Sequence, residues 1–573
     1  MSEKPKSVII VGAGAGGVAL AARLAKAGLQ VTVVEKNDFT GGRCSLIHHE
    51  GYRFDQGPSL FLLPRLFHET FGDLGTTLPD SGVDLVRCQT NYTIFFHDGE
   101  SFRHSSDMAA MRAEIERWEG AAGFERWLDW LREGHRHYEI SVEHVLRQNF
   151  SRFRDMLRPG FVKKVLVMHP FENLWGRAAR YFHSERLRRV FTFATMYMGM
   201  SPYDAPATYS LLQYTEFAEG IWYPRGGFHK VVQALVNIGK TMGVEYRLSA
   251  PVSTVMASDD GKEATGVRLE SGEELSADIV VLNADLVYAY SKLLPRSPSI
   301  ERRSRRLDTK EASCSSVSFY WSLDCKMEQL SAHNIFLAEQ YERSFAAIFK
   351  KHTLPEQPSF YVNVPTRVDP SAAPEGCDSV TVLVPVGHLN TGAANNDGLP
   401  ADEKRWETLV QAARDAVLDT ILDRTGADLR SHITNEIVNT PLTWKDKFNL
   451  DKGAILGLSH SFFNVLWFRP QTKAAEIENT YFVGASTHPG TGVPIVLAGA
   501  KITAEQILGD LSLRVPWVKA TEETRKISHS MDGWRDPWVK FGTEEFLRLS
   551  LVASIIVFML YVYQIFFTGT PSI

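Results

Sequence analysis

Cysteine is scarce: Cys44, Cys88, Cys314, Cys325 and Cys377 are the only five in 573 residues. Their odd number, with no two at metal-ligand spacing, argues against a disulfide framework or a bound metal and fits a reducing compartment. Charge of one sign is not in excess either. The net charge of −5 is too mild to hold a polyanion by bulk attraction, so nucleic acid is not an expected partner. No signal peptide is expected, because the apolar run Ser7 to Val11 is short and flows straight into a glycine turn. There is no internal repeat. Long hydrophobic runs are absent with one exception, Leu549 to Phe567, which is 19 residues without a charge. As a helix it would reach about 28 Å, enough to cross a bilayer's hydrocarbon core. Arg535, Lys540 and Arg548 precede it, a bias that keeps the main body cytosolic. The expectation is a single-pass C-terminal anchor, in the endoplasmic reticulum membrane; a buried core helix is the alternative.

The rest is ordinary globular composition, 44% hydrophobic and 23% charged. The pattern of elements is α/β. Ser7 to Val11 reads as a buried parallel strand, Gly12 to Gly17 as a turn, Val18 to Ala27 as a helix stopped by Gly28, and Val31 to Glu35 as a second strand. From about Gly75 to Gly220 longer helical segments appear, such as Asp107 to Glu119 and Phe124 to Tyr138. Strands return at Val244 to Arg247, Ala264 to Leu269 and Ile279 to Leu282. A second strand-rich region covers Ser316 to Ser322, Ser359 to Val364 and Val380 to Val386. Asn390 to Pro400 reads as an exposed loop, and Trp406 to Thr425 as a helix. Tyr481 to Gly484 is a last short strand, and a helix runs from about Pro494 to Leu508.

The first strand-turn-helix carries the chemistry. Gly12-Ala13-Gly14-Ala15-Gly16-Gly17 contains G-x-G-x-x-G at Gly12, Gly14 and Gly17. Such a turn lets backbone approach a pyrophosphate at a helix N-terminus. Glu35, ending the next strand, is placed to accept hydrogen bonds from an adenosine ribose. NAD and FAD share this fingerprint. The next two motifs separate them: Gly41-Gly42-Arg43, whose arginine can meet a phosphate, then Asp55-Gln56-Gly57-Pro58, another tight turn.

At this point the chain resembles the flavin amine oxidase and carotenoid desaturase superfamily. There an FAD fingerprint is succeeded by such a G-G-R and D-x-G-P. The resemblance narrows to the phytoene desaturases of bacteria and fungi. It is carried by Trp222-Tyr223-Pro224-Arg225-Gly226-Gly227, by Asn283-Ala284-Asp285, and by Tyr361-Val362-Asn363-Val364-Pro365. The segment Tyr481 to Pro494, with Gly484-Ala485-Ser486-Thr487-His488-Pro489-Gly490-Thr491-Gly492-Val493-Pro494, is the most telling. Length and tail are similar to the filamentous-fungal members.

The resemblance implies FAD as cofactor, with NAD as a minor alternative. It implies oxidoreduction at CH–CH bonds, taking phytoene by successive dehydrogenations to lycopene or on to 3,4-didehydrolycopene. Isomerisation of polyenes and amine oxidation are the alternatives on the same scaffold. The implied cofactor contacts are Gly12, Gly14, Gly16, Gly17, Glu35, Gly42, Arg43, Asp55, Gly57, Pro58, Val252, Gly484, Gly492 and Val493. No catalytic residue is assigned; His488 is the one weak candidate. Phytoene, other lipophilic polyenes and membrane lipid are the expected partners, with oxygen or a quinone as electron acceptor.

The FAD-binding domain is expected to be discontinuous and Rossmann-like, built from 1–75, 221–290 and 471–510. The insertions would be a helical, membrane-facing region (76–220) and a mixed α+β substrate domain (291–470). A linker (511–548) would lead to the transmembrane tail (549–567). Between Arg147 and Arg189 there are eleven Arg/Lys and three Asp/Glu, with Phe150, Phe153, Phe161, Phe171, Trp175, Tyr181 and Phe182 interleaved. That mixture suits an anionic membrane surface or, equally, a solvated helical face over core aromatics.

Overall fold

The computed structural model describes residues 5–158, 160–389 and 403–517. The expected loop Asn390 to Pro400 and tail Leu549 to Phe567 therefore lie outside the described residues. Among the described residues, no helix is long and apolar enough to cross a membrane.

Five strands form a parallel sheet in the order Thr480–Phe482, Ile279–Leu282, Ser7–Val11, Gln30–Val34, Glu245–Arg247. Start, middle and end of the chain thus interleave in one sheet, as a discontinuous nucleotide fold requires. The strands are runs of Val and Ile buried on both faces, and Val8, Ile10, Val33 and Val281 are all nearly inaccessible. One face packs on the helices Ala15–Lys26, His229–Thr241 and Val493–Asp510. Ile9, Val11 and Leu282 share a core with Val255 and Val267 of an antiparallel meander, Val252–Ala257, Ala264–Leu269 and Glu274–Ser276. Buried charges are paired here. Arg23 donates to Asp73, and Lys501 donates to Glu69 and Asp73, which joins three helices. Removing one partner of such a set leaves an uncompensated charge, a cost of about 3–5 kcal/mol.

The second sheet has seven strands, in the order Ile433–Asn439, Ser315–Leu323, Asp378–Val386, Phe360–Asn363, His333–Phe336, Thr90–Phe95, Ser101–Ser105. Side chains alternate along Ser315–Leu323. Val317, Phe319, Trp321 and Leu323 face the helix Glu403–Thr425, burying against Ala413, Val417 and Ile421. Tyr320 points the other way, onto Tyr52 and Phe54 of a hairpin, and its hydroxyl donates to the Gln56 carbonyl at 2.9 Å. The strand period of two thus sets one face of the sheet against the Asp55-Gln56-Gly57-Pro58 turn.

One expectation needs correction. The stretch 76–220 is not only helical, since Thr90–Phe95 and Ser101–Ser105 extend the second sheet. Tyr92, Ile94 and Phe102 alternate into the core there, a two-residue period masked by the helical pattern further along the chain. The two helices expected at 107–119 and 124–138 are present within Met108–Ser141, separated at Gly120, whose φ 65° and ψ −174° are not helical. Trp127 and Trp130 bury the second of them in the core.

Candidate functional site

The glycine turn is compact because its neighbours allow nothing larger. A Cβ on Gly17 would lie 2.2 Å from the Gly12 carbonyl oxygen, one on Gly16 2.7 Å from Val496, and one on Gly14 2.8 Å from Asn283 Oδ1. The Gly12 N–H donates to the Val34 carbonyl at 2.7 Å, tying the turn to the next strand. Val496 belongs to the first turn of the helix Val493–Asp510, so two helix N-termini meet at this point. Gly484 and Gly492, with φ 140° and 97°, bracket the loop that brings the second one in. Val493 is its first helical residue. Helix N-termini present unpaired N–H groups and favour an anion.

Asn283 is the keystone that sequence reasoning left without a role. It comes directly after the strand Ile279–Leu282, and its Nδ2 donates to the Val483 carbonyl at 2.8 Å. Its Oδ1 faces Gly14 and Gly17 and has no hydrogen-bond partner. One side chain thus touches all three pieces of the discontinuous domain. The available signal was its place in Asn283-Ala284-Asp285, directly after a buried strand.

Glu35 is buried behind the turn. Oε2 accepts from the Ala13 N–H at 2.8 Å, and Oε1 accepts from the Asn37 N–H and Nδ2, both at 2.9 Å. The Ala250 N–H donates to the Glu35 carbonyl, which sets Val252, starting its strand, close to Glu35. The Gly41 N–H donates to the Ala13 carbonyl at 2.8 Å, so Gly41-Gly42-Arg43 lies against the same turn. Among the described residues the Arg43 guanidinium has no hydrogen-bond or ion-pair partner. Burial pushes its pKa down, and the field of Asp285 only partly offsets this. A half-buried arginine beside a glycine turn and helix N-termini is what a bound pyrophosphate needs. The residues present therefore fit a dinucleotide.

Asp55 locks two of the motifs together. Oδ2 accepts from the Tyr223 hydroxyl at 2.6 Å, and Oδ1 from the Phe228 N–H at 2.7 Å. Burial raises its pKa to about 6 against the pull of those two donors. Two residues on, Gly57 passes so close that a Cβ would lie 2.4 Å from the Arg43 carbonyl. Pro58 completes that turn. Asp55 thus supports the site by fixing Tyr223 and Arg43's neighbours. Trp222, next to Tyr223, donates from Nε1 to the Glu219 carbonyl.

The closing loop, 484 to 492, is held by Arg469. This arginine is 1% exposed, and its N–H groups donate to the carbonyls of Ser459, Asn464, Ala485 and Thr487. Burial lowers its pKa to about 10. His460 accepts from the Thr491 N–H at 3.1 Å. His488 is also buried. Its Nε2 lies 2.8 Å from the Gln148 carbonyl, so Nε2 carries the proton and donates, while among the described residues Nδ1 has no hydrogen-bond partner. Burial lowers its pKa to about 4, so the ring is neutral.

Beside these lies a buried polar cluster not foreseen from sequence. Glu216 is fully buried in the π-turn Thr215–Glu219 and accepts from the Tyr92 hydroxyl at 2.7 Å. Among the described residues its other oxygen, both ends of the Gln213 amide and the Tyr197 hydroxyl have no hydrogen-bond partner. Burial raises the Glu216 pKa to about 8.

Comparison with known proteins agrees with this geometry. The family model described as flavin containing amine oxidoreductase matches residues 15–508. A phytoene desaturase of Neurospora crassa is 61% identical over 93% of this chain and 90% of its own length. A phytoene desaturase of Fusarium fujikuroi is 57% identical over 92% of this chain and 94% of its own. Among solved structures, an oxidoreductase from Methanosarcina mazei superposes with a TM-score of 0.56 at 16% identity, covering 87% of this chain and all of that one; this shows the fold alone. The chain belongs to the flavin containing amine oxidoreductase family, among the fungal phytoene desaturases.

Proposed function

We propose that the protein is an FAD-dependent phytoene desaturase of carotenoid biosynthesis. The observation that carries this reading is the 61% identity with a phytoene desaturase across 93% of the chain. The glycine turn and unpartnered Arg43 supply the matching cofactor site. FAD, when bound, supplies the acceptor for a hydride leaving a saturated C–C bond. With FAD bound, Arg43 would neutralise the pyrophosphate, Glu35 would accept from the ribose hydroxyls, and Gly14 and Gly42 would let backbone come close. Val252 would serve the adenine, and Gly484, Gly492 and Val493 would offer the second helix N-terminus to the ligand. His488, buried in the closing loop, is the weak candidate to take up the proton that leaves with each new double bond.

Phytoene has no polar group to grip, so recognition rests on the shape of an apolar path. Membrane lipid is then the natural reservoir, and the tail Leu549 to Phe567 is proposed as a single-pass anchor with the body in the cytosol. Lycopene, or 3,4-didehydrolycopene after a further step, is the proposed product, with oxygen or a quinone as final acceptor. Purified full-length protein, FAD and phytoene in liposomes test the reading. New polyene absorption at longer wavelength is expected. Loss of phytoene to isomers without a longer chromophore would replace desaturation by isomerisation.

A further inference from the structure

Few large hydrophobic side chains are exposed among the described residues, and three of the most exposed sit in two segments distant in sequence. Leu157, Phe171 and Phe463 are 47%, 55% and 60% exposed. The two phenylalanines belong to one run of touching rings. Phe171 lies 4.9 Å from Phe462, Phe462 5.1 Å from Phe463, and Phe463 5.6 Å from Phe468. Phe468 lies 5.5 Å from Trp467, and Trp467 5.3 Å from Phe153. Leu157 ends the short helical turn Phe153–Leu157.

This tip is not loose. Lys310 donates to the Phe463 carbonyl, to Asn464 Oδ1 and to the Phe468 carbonyl at 2.9–3.3 Å. Asn464 in turn donates to the Ser459 hydroxyl and the Glu311 carbonyl. A surface loop that holds aromatics outward with this many bonds is built to meet an apolar medium. Its charge points to which one. Residues 152–164 carry Arg152, Arg154, Arg158, Lys163 and Lys164 against Asp155 alone, and 462–468 carries no charge. Aromatic tips with a basic rim match the headgroup zone of an anionic membrane.

The position also suits this. Phe150, just before Phe153, packs on Phe161 at 5.2 Å and on the His488 ring at 5.3 Å. Arg469, just after Phe468, anchors the closing loop of the cofactor site. We infer that residues 153–158, 160–171 and 462–468 form a wedge that inserts into an anionic lipid monolayer, where an apolar substrate passes from the bilayer toward the site. This membrane contact is separate from the C-terminal tail, and its purpose rests on the proposed lipid-soluble substrate.

Hydrogen exchange of the full-length protein, with and without vesicles containing anionic lipid and no phytoene, tests the wedge. Amides of 153–157 and 462–468 should gain protection, while the exposed helical turn around Leu422 should not. Vesicle-bound protein with unchanged exchange at both segments would overturn the inference. The double variant Phe171→Ser/Phe463→Ser gives a second readout. Conversion of phytoene supplied in vesicles should fall about tenfold, with conversion in detergent unchanged. Equal rates in vesicles, or equal losses in both media, would also overturn it. Wild-type turnover in detergent reports separately on the desaturase reading, because it needs no membrane.

Discussion

Two glycine-to-alanine changes in helices of the same domain should act in opposite directions. At Gly17 the new methyl would sit 2.2 Å from the Gly12 carbonyl oxygen and 2.8 Å from Asn283 Oδ1. Ordinary contact begins near 3.4 Å, so backbone must move by about 1.2 Å, and a side chain cannot swing aside to absorb it. Overpacking of this kind costs about 3 kcal/mol. The cost falls on the turn that meets the cofactor, so FAD should dissociate about 150-fold more readily, at 1.4 kcal/mol per decade. At Gly509 a Cβ meets nothing within 4 Å, and the residue lies in the last turn of the helix Val493–Asp510. Alanine there should stabilise the fold by about 0.5–1 kcal/mol through helix propensity alone. Titration of each apoprotein with FAD, monitored by flavin fluorescence, measures both effects, with thermal unfolding as the control for folding. A Gly17→Ala protein that binds FAD within twofold of wild type would refute the steric argument. So would loss of FAD in Gly509→Ala.

Arg43→Ala should leave the unfolding of the apoprotein nearly unchanged, because among the described residues Arg43 has no hydrogen-bond or ion-pair partner to lose. FAD affinity should drop about 10- to 100-fold, the worth of a charge-assisted phosphate contact; equilibrium titration checks it. Arg469→Met should be severe, since five carbonyls, at Leu458, Ser459, Asn464, Ala485 and Thr487, lose their donor. Loss of soluble protein, or a fall of several kcal/mol in stability by urea unfolding, is expected. Glu216 sets a pH dependence. Its folded pKa of about 8 exceeds the ordinary 4.5, so the stability it contributes is complete below pH 4.5 and is lost as pH rises toward 8. The loss is about 1.4 kcal/mol per pH unit within that window. Urea unfolding at pH 6 and pH 7.5 should show this slope in the wild type and a flatter one in Glu216→Gln. Parallel slopes would contradict it.

Much of the architecture is legible in local pattern. The strands Ser7–Val11, Ala264–Leu269 and Ile279–Leu282 are apolar or alternating runs closed by turns, and they fall where the sequence predicts. The turn Gly12 to Gly17 with Glu35 and Arg43 is legible because those residues lie close along the chain. Their roles come from backbone approach and charge. The harder features are long-range. Tyr223 meets Asp55 across 168 positions, and Asn283 meets Val483 across 200. No period or spacing announces such a contact, because each side chain is ordinary until the sheet order brings the partners together. The break at Gly120, by contrast, is legible locally: glycine reads as a helix stop, and its backbone there is not helical. The aromatic stretch 147–189 shows both readings at once. Phe150, Phe161 and Phe182 are core residues, and several arginines pair with carboxylates, as Arg147 does with Glu69 and Arg177 with Glu172. Phe171 alone of its large aromatics is strongly exposed, and its partners come from residues 462–468, a segment that gives no signal by itself.

The most direct test of the whole account is an anaerobic single turnover. FAD-loaded full-length protein is mixed with phytoene in vesicles, without nicotinamide or any other acceptor. The account predicts that the flavin's visible absorption bleaches as a longer polyene chromophore grows, one double bond per flavin reduced. Phytoene that leaves the flavin oxidised, or a chromophore that grows only when a nicotinamide is added, would contradict it.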